Sequence, residues 1–475
     1  MSDINSTELE EHIDAYIEEV WDELVADIAA LVRYPSVADA GKAAPGAPFG
    51  GPVRDALDCA LDIARRLGYA TDEDEGYVGW GDIAGSEPGQ IATIAHVDVV
   101  PAGPGWGTDP FEMTVREGWF LGRGVIDDKG PAVLSLYAGA FLLHEGITPR
   151  YTFRALLGCN EECGMTDVHH YLAGHVAPDF LFTPDADFPL CNAEKGCFNG
   201  RFVSGPIEGG KILSWYGAEA PNAIPSESVL ELAVDASELP APKVHADRIS
   251  VEAVRPGVCR IGAQGIGGHA SMPAGTVNAI ALIVEYLRGC DVLDGDERAF
   301  VDLLSCVLAD TAGDAMGIAC ADDTFGPLTI SGGTICVRDD GRVAMSVDVR
   351  YPTSTDNERL LAVCEELAAR FGAGFEMDWY KVPFLVGAEH PAVRALLDVY
   401  HEVTGEEAKP FSMGGGTYAR NFPCAVSYGP VGRWTTVPSW VGHMHGPDEG
   451  AREVDLKRAL KIYILAIMRL MEIDL

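Results

Sequence analysis

Three short apolar runs, each ending on residues that can hold a charge or a cation, constrain this chain more than anything else in it. IATIA runs into His96 and Asp98, YTFRALLG into Glu161 and Glu162, and FLFT into Asp185. Runs this short and this apolar predict buried strands of a parallel sheet. In an open α/β sheet the carboxyl ends of such strands share one edge, and ligands bind in the crevice beyond it. A further segment, GRGVIDDKGP, sets Asp127 and Asp128 just before a helix-forming stretch. These side chains are therefore expected to converge. Carboxylates gathered that closely cannot all stay ionised unless cations neutralise them.

The rest of the chain sorts into two textures. At 475 residues it is too long for one core of ordinary size, which predicts two domains. Residues 8–33 place Ile13, Ile17, Trp21, Leu24, Ile28 and Leu31 at helical spacing, and VRDALDCALDIARRLGY forms a second helix closed by Gly68. After Gly196 the pattern changes. Residues 197–205, 211–216, 228–235, 247–254, 257–262, 327–332 and 343–351 read as alternating strands, with helices near 275–288 and 295–310. From about 385 the first texture returns. There is a helix at 391–404, a Gly-rich turn SMGGGTYAR, a strand near 424–429, a loop GHMHGPDEG and a last helix at 453–472. The expected architecture is an α/β domain, mostly parallel sheet with helices on both faces, built from 1–194 and 386–475. An α+β domain is inserted over 195–385.

Charge excludes some classes of partner. With 34 basic against 72 acidic residues the net charge is −38, which argues against nucleic acid and anionic membranes. The opening MSDINSTELEEHIDAYIEEV has no basic n-region or apolar h-region, and no apolar run is long enough to span a bilayer, so a cytoplasmic location is expected. Twelve cysteines without a CxxC pair fit reduced thiols.

Each acidic segment also has an ordinary reading. Asp127–Asp128 resembles a helix N-cap, which employs one Asp and leaves the other unexplained. A carboxylate bridging two cations would employ it. Glu161–Glu162 reads as a surface pair, Asp185 as a turn residue with Asp187 its nearest competitor, and His445 as an exposed loop histidine beside His443. Adjacent residues at a strand end point to opposite sides, so Glu161 and Glu162 would do different jobs, one as ligand and one as general base. Asp98, two residues after His96, would share its face and hold the imidazole's orientation. Taken together in chain order at strand ends, these signals favour a metal centre.

The phrases HVDVVPAGPGWGTDPF, GRGVIDDKGP, NEECG, TPDADFP, NAEKG, GGHASMP, VDVRYP, GGGTYAR and MHGPDE together resemble one family. It is the co-catalytic metallopeptidase family of acetylornithine deacetylase, succinyl-diaminopimelate desuccinylase, carnosinase and the PepV-like (Sapep-type) dipeptidases. The last group is the nearest in its early loop and in the spacing of PDADFP to EKG. The resemblance runs from about 35 to 449. It implies a zinc-peptidase-like catalytic domain and makes the insert a lid. It implies two divalent ions, Zn or Mn, held by His96, Asp127, Glu162, Asp185 and His445. Asp127 would bridge, His96 and Asp185 would complete one site, and Glu162 and His445 the other. Glu161 would be the general base and Asp98 would orient His96. The Asp127–Asp128 peptide would be cis. His269 would complete an oxyanion hole and Arg350 would bind the substrate carboxylate bidentately. Asn222 and the backbone of Gly414, Gly415, Gly416 and Thr417 would line the same pocket. The implied activity is hydrolysis of unblocked dipeptides, with N-acyl-amino-acid deacylation as the alternative. The long lid favours a monomer over a homodimer.

Overall fold

The apolar runs form the middle of one mixed sheet. The strand Gln90–His96 lies parallel between Thr152–Gly158 and Phe180–Thr183, and Ala425–Ser427 continues the parallel set. The register pairs His96 with Gly158 and Thr93 with Phe182, so these strands release the chain along one edge. The computed structural model describes residues 6–207, 209–432 and 436–474.

Burial explains the strand composition. Every residue from Ile91 to His96 is buried, as a strand covered on both faces requires. The helix Lys129–His144 is buried from Lys129 through Leu142, which is why it lacks a polar stripe. The helix Ser6–Val32 buries the 3–4-spaced stripe from Ile13 to Leu31. On the sheet's other flank, Ala70–Asp74 and Val78–Ile83 form an antiparallel pair beside Thr152–Gly158. That pair gives no clear strand signal in the sequence, because VGWGDI alternates glycine with larger residues and glycine is a poor strand former. The Asp127–Asp128 peptide is cis.

The chain divides into two compact units. One comprises Met1–Asn192, Leu385–Phe411 and Gly416–Leu475, the other Ala193–Phe384 and Ser412–Gly415. The second unit holds two four-stranded antiparallel sheets. One runs Thr329–Val337, Val343–Tyr351, Gly196–Val203, Gly374–Lys381, and the other Ile212–Tyr216, Glu227–Leu232, Val258–Gln264, Ile249–Arg255. The helices Ala279–Arg288 and Gly295–Val307 share a core with both sheets, through Phe198, Leu230, Ile283, Leu304 and Val347. The helix Asn357–Arg370 and the strand after it had no counterpart in the sequence reading. The helix is capped by Asp356, whose carboxylate accepts from Arg359 N, and it buries Leu360, Cys364, Leu367 and Ala368. All twelve cysteines are free, and no helix among the described residues is long and apolar enough to cross a membrane.

Candidate metal centre

The common edge of the parallel strands carries the acidic cluster in the first unit. His96 ends its strand, Glu161 and Glu162 follow Thr152–Gly158, Asp185 follows Phe180–Thr183, and Asp127 precedes the buried helix. A loop brings His445 to them. Asp127 is divided between the two imidazoles. Its Oδ1 lies 3.1 Å from His96 Nε2 and its Oδ2 lies 2.9 Å from His445 Nε2. Glu162 Oε2 is 3.2 Å from His445 Nε2, and Asp185 Oδ2 is 4.0 Å from His96 Nε2. His96, Glu161 and Asp185 each offer a ligand atom within 4.8 Å of one another, and so do His96, Asp127 and Glu162. Glu161, expected as a base, is thus within ligand reach as well.

Hydrogen-bond chemistry shows that this cage suits cations. His96 Nδ1 lies 2.9 Å from the main-chain oxygen of Asp98, which can only accept, so Nδ1 carries the proton and in the neutral ring Nε2 is left bare. A bare nitrogen facing a carboxylate oxygen is a pair of acceptors, and only a proton or a cation between them makes the contact favourable. Glu162 Oε1 is buried without a hydrogen-bond partner. Imidazole nitrogen and carboxylate oxygen are the donors that Zn²⁺ and Mn²⁺ take.

A scaffold of buried polar groups holds the ligands. The Asp98 carboxylate accepts from Glu161 N at 3.1 Å and from Glu162 N at 3.2 Å, so it fastens the glutamate turn. Its nearer oxygen is 3.5 Å from His96 Nδ1, and the main-chain carbonyl makes the shorter contact to the ring. Asp128 starts the helix without capping it by its side chain; Oδ2 accepts instead from His96 N at 3.1 Å. Two further supports went unnoticed in the sequence. Asp167 accepts from Cys159 N, Asn160 N and the Tyr418 hydroxyl, and the Tyr418 ring meets His96 edge-on. Gly158 is needed there, since a Cβ on it would lie 2.1 Å from the Tyr418 oxygen. The second support is the buried pair Arg123–Glu449. Glu449 Oε1 accepts from Gly124 N at 2.9 Å, and Arg123 Nη2 donates to His445 O at 3.1 Å. Both residues sit inside the quoted phrases GRGVIDDKGP and MHGPDE, but nothing in the spacing paired them.

The electrostatics follow from burial and crowding. Burial raises Asp128, Glu161 and Asp185 well above the usual carboxylate range, and neighbouring charge adds to it, from Asp185 on Asp128 and Glu161 and from Asp127 on Asp185. Burial works against protonation of His96, but hydrogen bonds to Asp127 and Asp98 outweigh it and hold the imidazole well above its ordinary value. Hydrogen bonds to Asp127 and Glu162 push His445 up to about 11. Asp127 goes the other way: burial raises it, yet the two imidazoles bring it below the usual range. Apart from Asp127, these groups bind more protons folded than unfolded. Their stabilisation is complete below the unfolded values, about 4 for carboxylates and 6.5 for imidazole, and is lost as pH rises through the raised ones. The contribution of Asp127 is lost only in stronger acid. The metal-free protein is therefore expected to lose thermal stability from pH 6 to pH 8, while the gap in Tm to the metal-loaded protein widens. Calorimetry with and without chelator across that range checks this, and a gap that narrows with rising pH would contradict it.

The second unit gathers other expected residues. The bridge Ala223–His269 brings Asn222 beside the imidazole, with Asn222 Nδ2 3.5 Å from His269 Nε2. Arg350 Nε and Nη2 reach the Asp348 carboxylate at 2.5 and 2.8 Å, while Nη1 donates to Gly414 O at 2.8 Å and to Cys197 Sγ at 3.0 Å. Most of the fork is thus committed inside the chain. Gly415 belongs to the same unit; Gly416 and Thr417 belong to the first, where Thr417 Oγ1 accepts from Ala419 N and contacts Ser427 Oγ.

Known proteins resemble this chain along nearly its whole length. A model of peptidase family M20/M25/M40 matches residues 92–469. YtjP of Bacillus subtilis (strain 168), which carries a provisional dipeptidase name, is 31% identical over 462 residues, covering 94% of this chain and 97% of its own length. The Beta-Ala-Xaa dipeptidase of Lactobacillus delbrueckii subsp. lactis is 29% identical over 463 residues, covering 94% and 96%. Among solved structures, human carnosine dipeptidase 1 matches with a TM-score of 0.62 at 15% identity, over 98% of this chain and 99% of its own. That last likeness is one of fold.

Proposed function

The chain belongs to peptidase family M20/M25/M40, and from that premise we propose that it is a metal-dependent dipeptidase acting on unblocked dipeptides. The observation that carries the reading is the division of Asp127, one oxygen to each of two imidazoles. That is the posture of a carboxylate shared by two cations. The dipeptidase names of the two sequence relatives support the substrate class.

In this reading His96 and Asp185 would hold one ion, Glu162 and His445 would hold the other, and Asp127 would serve both. When bound, such a pair supplies Lewis acidity and a water acidic enough to attack at neutral pH. Glu161 takes the proton of the attacking water and passes it to the leaving amine. In the metal-free protein, burial and the charge of Asp185 raise its proton affinity. Asp98 keeps Glu161 and Glu162 in place through their amides. His269 donates from Nε2 to the carbonyl oxygen as it gains charge. Arg350 recognises the terminal carboxylate, with Asn222 and the backbone of Gly414 to Thr417 in supporting positions.

Recognition of the carboxylate is tested at Arg350. Lysine keeps the charge beside buried Asp348 but loses the planar fork. Arg350→Lys is expected to raise KM for a free dipeptide about 10- to 100-fold, the worth of a hydrogen bond to a charged group. Turnover of the C-terminal amide, expected to be poor in the wild type, should hardly change. Equal losses on both substrates would remove Arg350 from the carboxylate site.

A further inference from the structure

We propose that Ser271 is a positioning residue for His269, fixing the imidazole as the tautomer with its proton on Nε2. The proposal deepens the oxyanion role given to His269 and rests on it. A neutral imidazole can donate from only one nitrogen. If the proton sat on Nδ1, a lone pair on Nε2 would face the developing negative charge.

The geometry decides between the two tautomers. Ser271 N–H donates to His269 Nδ1 at 3.2 Å. A backbone amide has only a hydrogen to offer, so Nδ1 must accept there and cannot carry the proton. Ser271 Oγ lies 2.7 Å from the same nitrogen, and with Nδ1 bare the hydroxyl donates too. The contact with Asn222 is weaker. Asn222 Nδ2 is 3.5 Å from Nε2, at the outer limit of a hydrogen bond. A side-chain amide can turn over and present its oxygen to Nε2–H, whereas the amide of Ser271 has no such freedom.

Ser271 is itself seated by packing. Ala270, between it and His269, is fully buried, and Met272 N closes the turn onto His269 O at 3.0 Å. Gly414 lies against its other side. A Cβ built on Gly414 would stand 2.7 Å from Ser271 Cβ and 3.4 Å from Oγ. The carbonyl of that glycine is the one that Arg350 Nη1 holds at 2.8 Å. Within this unit, then, Asp348 orients Arg350, Arg350 fixes Gly414, Gly414 leaves room for Ser271, and Ser271 sets the histidine.

The test reads the ring directly. In metal-loaded enzyme carrying ¹⁵N-labelled histidine, long-range ¹H–¹⁵N correlation, with His269 assigned by comparison with His269→Ala, is expected to show Nε2 protonated and Nδ1 bare. Ser271→Ala should admit a measurable share of the other tautomer and lower kcat on the order of 10-fold, with KM within about twofold, since loss of an imidazole's orienting partner acts on the transition state. Ser271→Thr keeps the hydroxyl and should keep both properties. Gly414→Ala, with Ser271 intact, should reproduce the alanine variant's spectrum. A wild-type ring protonated on Nδ1, or a Ser271→Ala enzyme with unchanged spectrum and kcat, overturns the proposal. Near-normal kcat in His269→Ala would instead overturn the oxyanion role, while the tautomer spectrum of the wild type would still report the hold of Ser271.

Discussion

Glu161→Gln is expected to lower kcat about 10³-fold or more while the protein keeps both metal ions. Glutamine preserves the size of the side chain and leaves the amide that Asp98 fastens untouched. It removes only the capacity to take and return a proton, a contribution of about 10²- to 10⁴-fold in general acid–base catalysis. The metal count matters here because Glu161 stands within ligand reach of His96 and Asp185. Elemental analysis beside steady-state kinetics separates the roles. Lost turnover with full metal identifies the base, and lost turnover with a lost ion would make Glu161 a ligand. Near-normal turnover would dismiss it from both.

Asp127→Ala is expected to abolish tight binding of both ions and, with them, at least about 10³-fold of kcat/KM. Each Asp127 oxygen faces a different imidazole, so its loss strips one donor from each side at once. It also removes the negative charge that favours cations between His96 and His445. His445→Ala, by contrast, should weaken one ion and spare the other, because the ion proposed at His96 and Asp185 would keep both of those ligands. Calorimetric titration of the chelator-treated variants gives the stoichiometry. An Asp127→Ala protein that still bound one ion with wild-type affinity would show that the carboxylate is not shared.

The parts of this site that were legible in the sequence are those governed by local pattern. IATIA, YTFRALLG and FLFT are short apolar runs with polar ends, and strand burial alone makes them so. Their parallel register carries His96, Glu161, Glu162 and Asp185 to one edge. His445 sits in a loop with no strand pattern behind it, so it counted only beside the strand-end residues, and the resemblance of MHGPDE gave it a ligand role. The supports were illegible for a physical reason. Glu449 meets Arg123 across 326 residues of chain, and Asp167 reaches Tyr418 across 251. Such pairs have no periodicity, and much of their work is done on backbone amides and carbonyls that any sequence supplies. Asp348 and Arg350 could have been paired, since residues two apart on a strand share a face. Arg350 was expected at the substrate, and no particular carboxylate was expected beside it. The helix Asn357–Arg370 was missed although its buried positions recur at helical spacing.

The central claim, metal-dependent cleavage of dipeptides with both ends free, is tested most directly by turnover on a matched set. The protein is stripped with chelator, restored with Zn²⁺ or Mn²⁺, and offered one free dipeptide, its C-terminal amide and its N-acetyl form. The account predicts no cleavage without metal and, once metal is restored, hydrolysis of the free dipeptide far ahead of the other two. Release of acetate from the N-acetyl form, with the free dipeptide left intact, would contradict it and make the enzyme a deacylase.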